Sequence, residues 1–137
     1  MTAPVTDAAD RPRTTIMVVD PDVVVRAAIA EYLRDCGYQV METLSAEEAL
    51  AVLEGGRSVD VVFSEVMLPE MNGFALSKTL RERYPGIGVI LASSTNQAID
   101  RAADLCDDGP IAKPYNPDEV LRRIQLMREN RRRSRDD

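Results

Sequence analysis

Polar side chains that could bind a ligand or take part in a reaction follow four of the five short apolar runs in this sequence. In chain order they are Asp20 and Asp22 after the first run, Ser64 and Glu65 after the third, Ser93 and Ser94 after the fourth, and Lys113 after the fifth. Carboxylates alone indicate a site for a hard cation such as Mg²⁺. A lysine and a hydroxyl beside them indicate that an anionic oxygen is held as well, such as one of a phosphoryl group.

Each of these residues also has a purely structural interpretation. Asp20 and Asp22 are suited to capping the helix that follows them, because acids are favoured at helix N-termini. Lys113 is suited to a salt bridge with those acids, and the serines are suited to loops. A shared site requires that the apolar runs lie side by side in one sheet.

The apolar runs alternate with segments of helical periodicity. Strands are predicted over residues 16–19, 38–42, 59–63, 88–92 and 110–112. Helices are predicted over 23–36, from the capping box Ser45–Glu48 to Gly55, over 74–83, over 97–106, and from Pro117 after an Asn116 cap. Gly37 stands where a left-handed helix C-cap is favoured.

These alternating elements predict an α/β fold of five βα units. Runs that are apolar throughout are typical of parallel strands covered by helices on both faces. The expected arrangement is a five-stranded parallel sheet in the flavodoxin-like order 2-1-3-4-5, with right-handed crossovers. Ligands of such sheets bind beyond the carboxyl ends of the strands, between strands 1 and 3. The fold therefore brings the polar residues together at one edge.

Composition narrows the functional classes. No apolar run reaches the roughly 18 residues of a membrane span, and the N-terminus lacks a signal peptide, so a cytoplasmic protein is predicted. The absence of His excludes His-based catalysis, and with two cysteines it argues against a zinc site. Cys36 and Cys106 are predicted to be reduced thiols in the core.

The chain is predicted to divide into a disordered leader (1–13), one domain (14–128) and an Arg-rich flexible tail (129–137). The formal net charge is −6, to which the last ten residues contribute +2 and residues 1–127 contribute −8. Because the body is acidic, binding to nucleic acid is not expected. The tail is suited to an anionic partner, but a solvated helix end is the favoured interpretation.

Four motifs together resemble the receiver domains of bacterial two-component response regulators, including stand-alone chemotaxis-type regulators. They are "IMVVDPD", "VVFSEVMLPEMNG", "VILASS" and "IAKPYNPDEV", and the resemblance covers residues 14 to about 128. It implies these roles: phosphoacceptor position, Glu65; first acid of the Mg²⁺-binding pair, Asp20; switch hydroxyl, Ser93; phosphoryl-binding lysine, Lys113. It also implies that Asp20, Glu65 and the backbone carbonyl of Met67 would be the metal ligands. The peptide between Lys113 and Pro114 is expected to be cis.

The sequence departs from the family pattern at the acceptor and at the acid pair. Glu65 replaces Asp, which moves the carboxylate about one C–C bond, roughly 1.5 Å, from the backbone. Misplacement of about 1 Å can cost on the order of a hundredfold in rate. Pro21 stands at the second acid, and Asp22 comes one residue later. We therefore expect weak or absent phosphorylation and weakened Mg²⁺ binding, or a carboxylate that imitates part of the phosphorylated state.

Two smaller departures concern the fifth strand. The usual aromatic switch position falls near Pro110 and Ile111, whereas Tyr115 follows the lysine. The segment from Ser93 to Lys113 is about two residues short, so we expect a short or irregular helix over 97–106. In the family, the face formed by this helix, the fifth strand and the last helix often contacts partners.

Three functional hypotheses remain open. The first is a single-domain response regulator, not an enzyme, that contacts a histidine kinase, a phosphotransfer protein or another signalling protein as a monomer or weak dimer. The second is a working phosphoacceptor receiver in which Glu65 is tolerated or was introduced in place of Asp. The third, from another class, is a nucleic-acid-binding regulator that uses the basic tail.

Overall fold

The computed structural model describes residues 14–93 and 111–136 of the 137-residue chain, with residues 130–136 as backbone only. The strands are β1 (Thr15–Val19), β2 (Gln39–Thr43), β3 (Val61–Glu65), β4 (Gly88–Ser93) and β5 (Ile111–Ala112). The helices are α1 (Val23–Asp35), α2 (Ala46–Glu54), α3 (Gly73–Arg83) and α4 (Pro117–Asp136). None of these helices is long and apolar enough to cross a membrane.

All five strands are parallel and lie in the order β2-β1-β3-β4-β5. The predicted fold class and strand order are therefore confirmed. The register aligns Val19 with Ser64, and Glu65 with Ala92. The carboxyl ends of β1, β3 and β4 consequently meet at one edge, as the switch-point rule requires.

Aliphatic side chains fill two core layers, one on each face of the sheet. The layer under α1 and α4 includes Ile16, Val18, Ile29, Leu33, Phe63, Ile90, Val120 and Ile124. The layer under α2 and α3 includes Met17, Val19, Ala49, Leu53, Val62, Leu76 and Leu80. Neighbouring residues of β1 alternate between the layers because successive side chains of a strand point to opposite faces. The prediction of helices on both faces is confirmed.

The predicted helix signals are present in the structure. The Ser45 hydroxyl accepts a hydrogen bond from the Glu48 N–H at 3.1 Å, and Asn116 Oδ1 accepts one from the Asp118 N–H at 2.8 Å. Gly37 has a φ of 100°, the left-handed conformation expected after α1. These contacts satisfy donors and acceptors that helix ends would otherwise leave unpaired.

Several boundaries differ from the sequence prediction. β3 covers Val61–Glu65 rather than 59–63, because Ser64 and Glu65 still pair with neighbouring strands. Helix α4 extends through 129–136, where a tail was predicted, and the flexibility of that segment remains a prediction. The leader 1–13, the helix over 97–106, Ser94, Cys106 and Pro110 lie outside the described residues.

The prediction that Cys36 is a core thiol is wrong. Cys36 is exposed at the C-cap of α1, one residue before Gly37. The helical stripe that faces the sheet ends at Leu33, which is fully buried. Cys36 is three residues further on, in the turn that leads to β2.

Helix α3 starts in direct contact with the end of β3, and this contact requires a glycine. A Cβ atom at Gly73 would lie 2.6 Å from the Glu65 carbonyl oxygen and 2.8 Å from Val66 Cα. The Gly73 N–H also donates to the Val66 carbonyl at 2.8 Å. The first residue of α3 is therefore fixed against the backbone of the predicted acceptor.

We expect Gly73→Ala to lower the free energy of unfolding by about 1–3 kcal/mol, because backbone atoms must move to admit the methyl group. Urea unfolding followed by circular dichroism measures this change. Gly86→Ala is the matched control, since a Cβ at Gly86 meets nothing within 4 Å. Equal effects of the two substitutions would contradict the close-approach argument.

Candidate functional site

One ammonium group joins two carboxylates at the carboxyl edge of the sheet. Lys113 Nζ lies 2.7 Å from Asp20 Oδ2 and 2.5 Å from Glu65 Oε1. The side chains are 15% exposed for Lys113, 6% for Asp20 and 8% for Glu65. We call these three residues the ion cluster. The structure thus brings together three of the residues that the sequence predicted to converge.

Asp20 is held from both its side chain and its backbone. Its second oxygen, Oδ1, accepts a hydrogen bond from the Asp22 N–H at 2.9 Å. Its own N–H donates to the Thr43 carbonyl at 3.1 Å, and its carbonyl accepts from Arg26 Nη1 at 2.8 Å. These contacts tie the acid to β2 and α1, so its carboxylate has little freedom to reorient.

Glu65 uses both of its carboxylate oxygens within the protein. While Oε1 meets Lys113, Oε2 accepts a hydrogen bond from the Met67 N–H at 2.7 Å. The contact with Met67 therefore involves its amide, and the predicted metal-facing role of its carbonyl remains a prediction. The loop after Met67 includes Glu70 at a φ of 64°, a conformation that side chains other than glycine rarely adopt.

Asp22 takes the structural role that the sequence left open for it. Its Oδ1 accepts hydrogen bonds from the N–H groups of Val24 at 3.0 Å and Val25 at 3.3 Å, which caps α1. Its hydrogen bond to the ion cluster comes from its backbone N–H, and the predicted place of its carboxylate in the acidic pocket remains a prediction. Asp22 and Pro21 are both exposed.

Ser93 and Tyr115 complete the surroundings of Lys113. Ser93 is fully buried at the end of β4, and its carbonyl accepts from the Lys113 N–H at 3.0 Å. The Tyr115 ring packs edge-on against Phe63, with centroids 5.4 Å apart. Burial and the charges of Asp20 and Glu65 raise the pKa of Tyr115, so its hydroxyl stays neutral. The peptide between Lys113 and Pro114 is cis, as the resemblance implies.

The protonation of Lys113 reflects two opposed effects. Burial alone would lower the pKa of Lys113, because desolvation penalises the charged form. The hydrogen bonds that the ammonium donates to Asp20 and Glu65 outweigh burial and raise the pKa of Lys113 above its ordinary value of 10.5. Lys113 is therefore a cation at neutral pH.

Arg26 is a site residue that sequence reasoning missed. Besides its bond to the Asp20 carbonyl, its Nε lies 3.2 Å from Glu42 Oε1, and Glu42 Oε2 lies 3.2 Å from Arg34 Nη1. The Arg26 side chain is only 12% exposed. Two signals in the sequence point to it: an acid within the second strand, and an arginine one helical turn after the Asp22 cap.

The residues of this site fit Mg²⁺ poorly. The two carboxylates on offer, from Asp20 and Glu65, are both engaged by the Lys113 ammonium. Pro21 supplies no carboxylate and the Asp22 carboxylate caps a helix. A hard cation in a protein is usually held by several oxygens that no other cation occupies.

A comparison with protein families shows which family has this sequence pattern. Residues 16–125 match the family model described as "Response regulator receiver domain". This chain belongs to the receiver domain family. The identification made from the four motifs is confirmed, and receiver domains are signalling modules of two-component systems rather than a known family of enzymes.

Relatives of this receiver domain differ in length. The transcriptional regulatory protein AruR of Pseudomonas aeruginosa is 37% identical over an alignment of 118 positions, which covers 82% of this chain and 48% of AruR. The two-component response regulator ORR3 of Oryza sativa is 32% identical over an alignment of 121 positions, which covers 85% of this chain and 92% of ORR3. The chain thus spans about half of AruR and nearly all of ORR3.

A solved structure supports the fold independently. A CheY-like receiver domain protein of Methanospirillum hungatei has a TM-score of 0.79 at 24% identity. The match covers 89% of this receiver domain and 98% of that chain. At this identity the likeness concerns the fold alone.

We expect Arg26→Gln to lower the free energy of unfolding by about 1–3 kcal/mol, because it leaves the Asp20 carbonyl and Glu42 without a buried partner. We also expect it to weaken or shift the NMR signal of the hydrogen-bonded Lys113 ammonium. Arg34→Gln is the control, since Arg34 shares Glu42 but makes no hydrogen bond to Asp20. Identical ammonium spectra in both variants would refute a link between Arg26 and the ion cluster.

Above pH 7, the contribution of Lys113 to stability should depend on pH only in strongly alkaline solution. Since its pKa in the folded state lies above 10.5, the contribution is complete below that pH and is lost as the pH rises through the folded value. The difference in unfolding free energy between the wild type and Lys113→Gln should therefore be constant from pH 7 to about 10 and shrink above it. Urea titrations at several pH values test this, and a difference that shrinks between pH 7 and 9 would contradict it.

Proposed function

We propose that this receiver domain signals through protein contacts, and that phosphorylation at Glu65 is weak or absent. The observation that carries this proposal is the double engagement of Glu65, whose two oxygens are held by Lys113 and by the Met67 N–H. A phosphoacceptor must present an oxygen in line with the incoming phosphorus, at near-attack distance. Glu65 offers its oxygens to its own pocket instead.

The same contacts support partial imitation of the phosphorylated state. The family resemblance assigns Lys113 to the oxygens of a transferred phosphoryl group, and here the Glu65 carboxylate takes that ammonium. A carboxylate carries less charge than an acyl phosphate and has one fewer oxygen to offer. A conformational equilibrium moves only as far as the differential interaction energy allows, so the shift toward an active state should be incomplete.

An apolar rim supports a protein as the partner. Among the described residues, four of the five exposed large apolar side chains follow β1, β2 or β3 at the carboxyl edge of the sheet: Val23, Val24, Leu44 and Met67. Exposed apolar side chains that are grouped in this way typically mark interaction sites. Partners of the kind we propose are a histidine kinase, a phosphotransfer protein or another signalling protein. A cytoplasmic location remains a prediction.

A receiver that is still competent for phosphorylation is the second candidate, and the nucleic-acid-binding alternative is not favoured. The competent receiver requires Glu65 to leave both of its partners before transfer. Weakened Mg²⁺ binding, which we infer from Pro21 and from the bonds of Lys113, argues against it. Chemistry at position 65 separates the two candidates.

We expect wild-type protein incubated with a small-molecule phosphodonor and Mg²⁺ to gain no phosphate, as measured by intact-protein mass spectrometry. The double variant Pro21→Asp/Glu65→Asp should gain one phosphate, because it restores the acid pair and the shorter acceptor. Glu65→Asp alone tests whether Pro21 is limiting. Glu65→Gln, which has no carboxylate to phosphorylate, is the negative control. A stable phosphate on wild-type Glu65 would sink the proposal.

A further inference from the structure

One hydrogen bond joins helix α1 to the segment that carries Lys113. The Tyr32 hydroxyl, on α1, donates to Asp118 Oδ1, in the first turn of α4, at 2.5 Å. Asp118 follows Lys113 by only five residues. The bond therefore connects α1 to the part of the chain that supplies the cation of the ion cluster.

The strand that leads into Lys113 is short and lies at the edge of the sheet. β5 contains only Ile111–Ala112 and pairs with β4 alone. The Lys113 N–H adds one hydrogen bond, to the Ser93 carbonyl at 3.0 Å. Short elements with few buried contacts open more readily than the centre of a sheet does. The position of Lys113 consequently depends on what holds the residues that follow it.

Side-chain contacts hold the stretch between Lys113 and the buried part of α4. Residues 114–119 are exposed, apart from the half-buried Tyr115. At the start of this stretch, the Tyr115 ring packs against Phe63. At its end, Asp118 accepts the hydrogen bond from Tyr32. The stretch is thus fixed to the domain near both of its ends.

We propose that Tyr32 is a positioning residue of this pocket, because its hydrogen bond to Asp118 holds the segment that carries Lys113 where the ammonium reaches both acids. Tyr32 acts through Asp118 and the backbone that leads back to Lys113. The inference deepens the proposed function of the same site, on which it rests through the geometry of the ion cluster.

Helix α1 then supports the ion cluster from two sides. At its start, the Asp22 N–H donates to Asp20 Oδ1 at 2.9 Å. Tyr32 lies ten residues further along, a rise of about 15 Å, and holds the segment of Lys113 through Asp118. A single helix therefore holds both the acid and the segment that brings the cation to it.

The charge of Asp118 strengthens the bond. A hydrogen bond to an ionised acceptor is stronger than one to a neutral acceptor. The bond to Asp118 is the main cause that raises the pKa of Tyr32 to about 12, and the Cys36 thiol contributes less. The hydroxyl therefore remains a donor at neutral pH. In a simpler interpretation, the bond only stabilises the start of α4, and the two interpretations differ in what happens at Lys113.

Hydrogen–deuterium exchange of backbone amides measures whether the segment opens by itself. We expect Tyr32→Phe to speed exchange of the Lys113 amide about three- to tenfold, the change that loss of one hydrogen bond typically produces. The Val66 amide, which donates to the Ala92 carbonyl between β3 and β4, should change less. The NMR signal of the Lys113 ammonium should weaken or shift in the same variant.

Tyr38→Phe is the matched control for the lost hydroxyl. Tyr38 packs against the same core layer as Tyr32, and its hydroxyl has no hydrogen-bond partner among the described residues. Asp118→Ala should reproduce the effect of Tyr32→Phe, and the two substitutions together should add nothing further, because they remove the same bond. Glu119→Ala, which removes a carboxylate from the same helical turn, should leave exchange of the Lys113 amide unchanged.

Unchanged exchange of the Lys113 amide in Tyr32→Phe would overturn the proposal. Equal acceleration at Lys113 and Val66 would also overturn it, because the bond would then only support the fold as a whole. So would an equal effect of Tyr38→Phe. Circular dichroism of each variant shows that the fold is intact. These measurements use no phosphodonor, so their failure is distinct from a phosphate on Glu65, which would contradict the proposed function instead.

Discussion

Two carboxylates at adjacent strand ends must share a cation, and the rest of the pocket follows from that requirement. β1 and β3 are hydrogen-bonded neighbours, so the side chains of Asp20 and Glu65 lie close together and are almost completely buried. Buried charges are tolerated only when they are paired. Lys113, which extends from the far side of β4, supplies the pairing, and β5 must lie where it does for the ammonium to reach both acids.

The length of the Glu65 side chain decides whether the carboxylate oxygens of this pocket are available to a ligand. A shorter acid would leave its oxygens at the mouth of the site, available to an incoming group. The longer Glu65 reaches both the ammonium and the amide of its own loop, so the pocket is saturated from within. A ligand that enters such a pocket must displace contacts that the protein already makes. The net binding free energy available to drive a conformational change is therefore smaller. This internal saturation is the basis of our proposal that the domain presents a fixed surface rather than responding to a phosphodonor.

The sequence predicted the sheet well, because its signals are local and redundant. Five apolar runs, the Ser45 cap and the left-handed Gly37 all favour the same architecture, and α/β topology leaves few alternatives. It predicted the convergence of Asp20, Glu65 and Lys113 because strand order fixes which loops meet. It could not settle whether the Asp22 carboxylate caps a helix or joins the pocket, since both roles favour an acid at that position. Cys36 was misjudged because burial at the end of a helix depends on how neighbouring elements pack. Arg26 was missed because its partners, the Asp20 carbonyl and Glu42, lie on other elements.

The close approach at Gly73 has a mechanical consequence. Helix α3 has 11 residues, about 16 Å of rigid rod, and its first residue lies directly on the backbone of Glu65. The rod and the acid share one pivot. A shift of a few tenths of an ångström in the backbone at Glu65 is therefore passed directly to the first residue of α3. The missing methyl group at position 73 couples the backbone of the pocket to the helix with no side chain between them.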